Sequence, residues 1–316
     1  MTAAEQVGGE SGLRPAQGAA ARDVPWRGLG LLYAILVAAG IADLVIVAVN
    51  DDTVLASGLW SDYTFASLFV ALGVFYWRVR RSAQIATLLF VVSALIYGGP
   101  VVMVLDFVTK AMGYPLADQV LAGWDNALGL DWVAYERWFS LHPGLSAGAG
   151  FLYSGSTLVL LIAFVALAWC GRLQQMLRLA VSSAITLLAS LVIGGFLPAA
   201  GPHHFYSVPD GGKAFWVDEI IRIVTERPHL IVLKGQPPLT TFPSYHTTLA
   251  VLVIMACWRI PRFGPLFALF NLSWVLAIPV WGSHYPIDMV AGAAIAVVGH
   301  VVTASLMRGR DVAAVR

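Results

Sequence analysis

Residues 241–258 read TFPSYHTTLAVLVIMACW. Beyond His246 the stretch is almost wholly apolar, the composition of a buried helix. Before it stand Pro243, which blocks upstream extension, and Ser244, a good N-cap. The histidine thus opens a helix that is too apolar for water. This pattern points to a membrane chain and asks what an imidazole does at the mouth of a span.

The whole composition agrees with that reading. Hydrophobic residues are 59% of the 316 and charged residues 12%, and mean hydropathy is +0.77. A soluble domain of this length has no use for that much apolar surface, and a polytopic membrane protein has. Apolar runs recur at about 28–49, 60–77, 84–106, 149–170, 179–197, 244–260, 265–281 and 286–307. They predict an all-α polytopic membrane helix bundle of about eight transmembrane helices, with a catalytic core in the later spans. The sixth run is short, and the second and fifth are marginal against the roughly 20 residues a span needs. Residues 1–26 are polar and lack an apolar h-region, so they read as a flexible cytoplasmic tail. Residues 27–148 supply the first spans and an outer loop, 149–307 the catalytic core, and 308–316 a second cytoplasmic tail. Cys170 and Cys257 fall inside apolar runs and read as packing residues. A net charge of +1 offers no field for nucleic acid. The expected partners are the lipid bilayer and a membrane lipid substrate, and oligomeric state is left open.

Charge sets the expected orientation. With the N-terminus inside, 13 of the 19 Lys and Arg residues fall in inner segments and 6 in outer ones. The positive-inside rule then places both termini in the cytoplasm, with a bacterial inner (plasma) membrane as the expected location. Trp26, Trp77, Trp169 and Trp258 fall at the inner boundary and Trp60 and Trp281 at the outer. Two outer loops are long. In 107–148, Leu116, Val120, Leu121 and Trp124 have helical spacing. This segment is either an amphipathic helix lying on the outer leaflet or a loop helix packed on the bundle. Its Asp118, Asp125 and Asp131 are read as solvated.

The last outer loop reads GSHYPID, 282–288. His284 therefore opens the eighth span as His246 opens the sixth, at the same face. Pro286 suits a first helical turn, and Asp288 from the third position reaches back to the imidazole of His284. A carboxylate on one ring nitrogen fixes the tautomer and leaves the other basic. At the sixth span Ser244 caps, and the N–H groups of Tyr245, His246 and Thr247 form the positive end of a helix dipole, a phosphate site. Lys234 adds a charge from the same loop. This set suits phosphoryl transfer without a metal or other cofactor. Each piece has a plainer reading: an interfacial histidine is often only wetted, His284 with Asp288 can simply cap a helix, and Lys234 can be a solvated loop charge. The joint pattern, FPSxH and then HYxxD opening another span, is far more specific.

That joint pattern resembles the type 2 phosphatidic acid phosphatase superfamily of membrane lipid phosphatases. PSYH is similar to its second signature, usually PSGH, and HYPID followed by Gly292 is similar to its third. Two features depart. Where the classical third signature has Ser-Arg, Ala277 and Ile278 stand. Of the classical first signature only Arg227-Pro228 is present, with Ile220 in place of the lysine. FPSYH with HYPID and no Ser-Arg looks more like the inositol phosphorylceramide synthase and sphingomyelin synthase branch. The resemblance implies that His284 is the nucleophile, oriented by Asp288, and that His246 protonates the leaving oxygen and then activates water or an alcohol. Lys234, Arg222 and Arg227 are the candidates to replace the missing arginine.

The leading expectation is a lipid phosphate phosphatase at the outer face of the membrane. The alternative enzyme moves a phospho-headgroup between lipids. A transporter, a haem carrier and an inactive scaffold rank lower, since a capped helix mouth fits phosphate better than an axial haem ligand. His203 and His204 could contact a headgroup or be exposed, with exposure favoured. Asp43 and Asp106 lie in the first and third runs, where a carboxylate is either functional or a bundle hydrogen bond. His300 reads as packing or interface.

Overall fold

The computed structural model describes residues 23–308 except 57–58, 213 and 236–238. Most of the expected N-terminal tail, 1–22, and segment 309–316 lie outside the described residues. In chain order the first helices are α1 (Trp26–Val49), α2 (Leu59–Arg78), α3 (Ala83–Ala111), α4 (Asp118–Ala127), α5 (Trp132–Ser140), α6 (Pro143–Ser154) and α7 (Ser156–Trp169). Then come α8 (Leu173–Phe196), α9 (Pro202–Phe205), α10 (Val217–Glu226), α11 (Tyr245–Cys257), α12 (Gly264–Trp281) and α13 (Pro286–Arg308). The protein is an all-α polytopic bundle. Two three-residue strands, β1 (Thr53–Leu55) and β2 (Leu230–Val232), pair in parallel between loops.

Each of the eight apolar runs is helical. Among the described residues α1, α2, α3, α8, α12 and α13 are long and apolar enough to cross a membrane. The sixth run forms the 13-residue α11, about 20 Å long at 1.5 Å per residue. The fourth differs from the expected single span. It begins early, with Pro143 in the first turn of α6, and breaks at Ser154-Gly155-Ser156 into α6 and α7, set 54° apart. Serine and glycine hold a helix weakly, so the break falls where the sequence resists least.

Helix α8 packs against α1, α3, α7, α11 and α13. Its inward face carries Ser182, Ser183, Thr186, Ser190, Gly194 and Gly195, all buried. Small residues let helix backbones approach where no hydrophobic drive separates protein from lipid. A Cβ at Gly299 of α13 would meet Thr186 Cγ2 at 2.2 Å, and one at Gly194 would meet the Phe242 carbonyl at 2.5 Å. Helix α13 meets the start of α11 in the same way.

The loop helices pack on the bundle, which settles the first outer loop in favour of packing. Trp132 Nε1 donates to the Pro279 carbonyl (3.0 Å) and Tyr135 OH to that of Leu276 (2.7 Å), fixing α5 on α12. In α4, Leu121 and Ala122 are buried, while Val120 and Trp124 face outward. The aspartates depart from expectation. Asp118 and Asp125 are buried, and only the exposed Asp131 is solvated, capping α5 through the Ala134 N–H.

A Cβ at Gly292 would lie 2.3 Å from the Ser244 carbonyl oxygen, a backbone atom that cannot move aside, whereas one at Gly30 meets nothing within 4 Å. Gly292→Ala should lower stability by about 1–3 kcal/mol, the usual cost of overpacking. Gly30→Ala should not. Thermal melts of the two variants in one detergent check this; equal melting temperatures would contradict it.

Candidate active site

The site grows from the entrances of α11 and α13. Ser244 is fully buried and caps α11, its Oγ accepting from Thr247 N (3.4 Å). Its own N–H donates to the Asp288 carbonyl of α13 (3.0 Å), and Thr248 Oγ1 donates to the Gly292 carbonyl (2.9 Å). These bonds lock the two helix mouths together. The capping bond takes the Thr247 N–H, which leaves those of Tyr245 and His246 at the mouth of α11. The Tyr245 side chain turns inward, its OH donating to the Ser183 carbonyl of α8 (3.0 Å).

His246 is half-buried. Its ring lies between Tyr153 of α6, 4.8 Å between centroids, and Trp274 of α12, 5.8 Å. The His284 ring is 6.2 Å away. His284 Nδ1 pairs with Asp288 Oδ2 at 3.2 Å, and the same oxygen accepts from Tyr285 N at 3.0 Å. Asp288 is fully buried and His284 nearly so. Burial pushes the His284 imidazole down to about 4, partly offset by a hydrogen bond to the Thr241 backbone. Gly282 keeps this corner open: a Cβ there would meet His284 Cδ2 at 2.7 Å and Tyr153 OH at 3.0 Å.

Three buried groups behind the histidines were expected from sequence to be exposed or solvated. His203, expected to be exposed, is buried, with Nδ1 2.9 Å from Ser283 Oγ and Nε2 3.9 Å from Glu136 Oε1. His204, its neighbour in α9, is exposed. Asp118 accepts from Ala200 N (3.0 Å), Gly201 N (2.8 Å) and Tyr285 OH (3.0 Å). Asp125, seven residues on and on the same face of α4, accepts from Ile287 N (2.8 Å). The seven-residue spacing around Leu121 and Ala122 was the available signal.

The basic residues named for the phosphate are placed elsewhere. Arg222 makes a two-point pair with Glu219 (2.8 and 2.6 Å). Arg227 donates to the Gly113 carbonyl (3.1 Å). Lys234 is exposed and lines a different cavity with Asp62 and Pro100. Behind the FPSYH turn stands Lys110, buried, its Nζ 3.0 Å from Thr240 Oγ1 and 3.4 Å from Asp106 Oδ1. Asp106 also accepts from Leu239 N (2.8 Å) and Thr240 Oγ1 (2.6 Å). Remote in sequence, Asp106 is adjacent to the motif in space. Among the described residues no three His, Cys, Asp or Glu side chains are grouped to hold a metal ion.

A family model described as the PAP2 superfamily matches residues 119–302, more than half of the chain, including both histidines and Asp288. The chain belongs to the PAP2 superfamily. PAP2 proteins are phosphoesterases, so this is an integral membrane enzyme of the phosphatase type. The match does not distinguish the inositol phosphorylceramide synthase-like branch from the rest of the superfamily. No curated protein and no solved structure matches the chain. Lys110 and Asp106 precede the matched PAP2 region.

Burial raises the Asp125 carboxyl to about 6; the Ile287 N–H bond pulls it down in part, and the Asp288 charge adds to the rise. A folded-state pKa above the unfolded value of about 3.9 means that protonation favours the fold. That stability is fully present below about pH 4 and is lost as pH rises through 6. Asp125→Asn stays neutral and escapes the loss. Its melting temperature relative to the parent chain should be higher at pH 8 than at pH 5. An offset that does not change with pH would show that Asp125 does not titrate with folding.

Proposed function

We propose that this PAP2 protein hydrolyses a lipid phosphate monoester through a phosphohistidine on His284. The observation that carries the reading is the facing pair of imidazoles, 6.2 Å between centroids, one hydrogen-bonded to a buried carboxylate and the other opening a capped helix. The Tyr245 and His246 N–H groups and the α11 dipole receive the phosphate oxygens. His284 Nε2 attacks phosphorus while its Nδ1–H stays on Asp288. The P–O bond to the lipid alkoxide breaks, and protonated His246 gives that oxygen its proton. Water then attacks phosphorus and yields a proton to His246, and the P–N bond breaks to restore His284. The proposal assigns no metal. Lys110 lies behind the turn and serves to hold it. Apolar grooves of about 760 and 550 Å³ meet at Phe151, beside Tyr153, and give lipid chains a place next to the site.

A second reading is transfer to an alcohol. The buried Ser283, His203 and Glu136 beside His284 offer an acceptor hydroxyl the hydrogen bonds that water does not need. Purified protein given labelled phosphatidic acid, with and without ceramide or diacylglycerol, distinguishes the two. Free phosphate indicates hydrolysis, and a new phospholipid indicates transfer.

Phosphoenzyme trapping tests the roles. With an aryl phosphate, whose departure needs little protonation, His246→Ala should take up label and release it slowly, because general base help is worth roughly 10²–10⁴ in rate. His284→Ala should take up none, and Asp288→Asn should fall between. Label on the His284 variant and none on the His246 variant would reverse the assignment. We also place the histidines on the extracytoplasmic side, from the excess of Arg and Lys in the opposite segments. Cysteine installed at the exposed Ser207 should then react with an impermeant reagent in intact cells. Reaction only after lysis would invert the orientation.

A further inference from the structure

The opposite end of the bundle carries a second polar cavity, of about 250 Å³, where α8 begins and α11 ends. Gln175 and Arg178 of α8, His300 of α13 and Arg259, just beyond α11, supply its polar wall, and Met255 and Leu252 its apolar wall. It lies away from the histidine site, since α11 runs from His246 at one end to Cys257 at the other.

The lining consists of donors and cations. Among the described residues no carboxylate lines the cavity. Arg178 Nε is buried with no hydrogen-bond partner among the described residues. Arg172 holds the rim: one nitrogen donates to the Arg259 carbonyl (2.6 Å) and another to Gln175 Oε1 (3.3 Å). With Gln175 oxygen engaged, its amide N–H groups remain to donate. The start of α8 adds the positive end of a helix dipole. Two guanidinium groups in a small half-enclosed space repel each other unless an anion lies between them. Planar forks of this kind match phosphate oxygens.

We propose that this cavity binds a phosphate group, presented by the headgroup of a membrane lipid in the leaflet opposite the histidine site. Its size, below the range for whole small-molecule ligands, suits a headgroup and not a lipid. The apolar wall reaches the surface at Met255, which is partly exposed, and the glycerol and first methylenes would lie there. Basic pockets between helices at a membrane boundary recognise anionic headgroups. The proposal does not depend on the chemistry assigned to His246 and His284.

Native mass spectrometry of the full chain in detergent tests it, with phosphatidylglycerol, phosphatidylcholine and inorganic phosphate as probes. The parent chain should retain phosphatidylglycerol over phosphatidylcholine by about 30-fold, the effect of two arginines at a headgroup. The preference should fall to near unity in the Arg178→Gln, Arg259→Gln double variant. It should survive in the Arg178→Lys, Arg259→Lys variant, which keeps the charge and guards against a folding defect. Inorganic phosphate should compete only at far higher concentration than the lipid. The proposal is overturned if the glutamine variant keeps its preference, or if the parent chain has none. Binding of inorganic phosphate without binding of phosphatidylglycerol would overturn the lipid as its source.

Discussion

The contact on which the site depends is the approach of α13 to the first turn of α11 at Gly292. No side chain separates the Gly292 Cα from the Ser244 carbonyl, and the neighbouring bonds Ser244 N to Asp288 O and Thr248 Oγ1 to Gly292 O cross the same gap. Backbone is therefore tied to backbone at the level of the two histidines. His246 belongs to one helix, His284 and Asp288 to the other, and their spacing is set by atoms that cannot change rotamer. Catalytic groups are effective when held to within a fraction of an ångström, and a glycine contact is a direct way to do so.

Around this joint the connecting loops are stapled by buried acids. Asp118 collects two N–H groups of the 199–201 turn and the Tyr285 hydroxyl. Asp125 holds the Ile287 N–H at the start of α13, and Asp106 holds the Leu239 N–H before FPSYH, with Lys110 beside it. Burying a carboxylate costs several kcal/mol unless its lone pairs are satisfied, and hydrogen bonds to the charged group offset that cost. Two of the three bind backbone at a histidine motif, Asp106 just before FPSYH and Asp125 inside HYPID. They add directional bonds to loops that also pack through buried apolar residues such as Leu121, Ile220 and Leu239.

The two ends of the bundle differ in kind. At the histidine end the imidazoles and carboxylates are enclosed by Trp132, Trp274 and Tyr285, all buried, and Asp288 Oδ1 has no hydrogen-bond partner among the described residues. At the other end arginines cluster around a cavity without a counterion among its lining residues. One end presents imidazoles and helix N–H groups, the other fixed positive charge.

The sequence by itself determined the helical spans and the histidine motifs, because both are local. Hydropathy over about 20 residues decides whether a segment prefers lipid, and a Pro-Ser before a helix or a His-x-x-x-Asp across its first turn is decided within five residues. The break at Gly155 and the fate of the loop aspartates lay beyond that range. An acidic residue in an amphipathic loop is solvated unless a distant backbone N–H offers a better partner. The partners of Asp118, and the Leu239 and Thr240 partners of Asp106, lie 82 to 167 residues away. The same holds for the cations. Lys234 is near the motif in sequence but faces another cavity, whereas Lys110 stands 130 residues before Thr240 and touches it. Only the tertiary structure could make those choices, since each trades the desolvation of a charge against hydrogen bonds that exist only once the helices have packed.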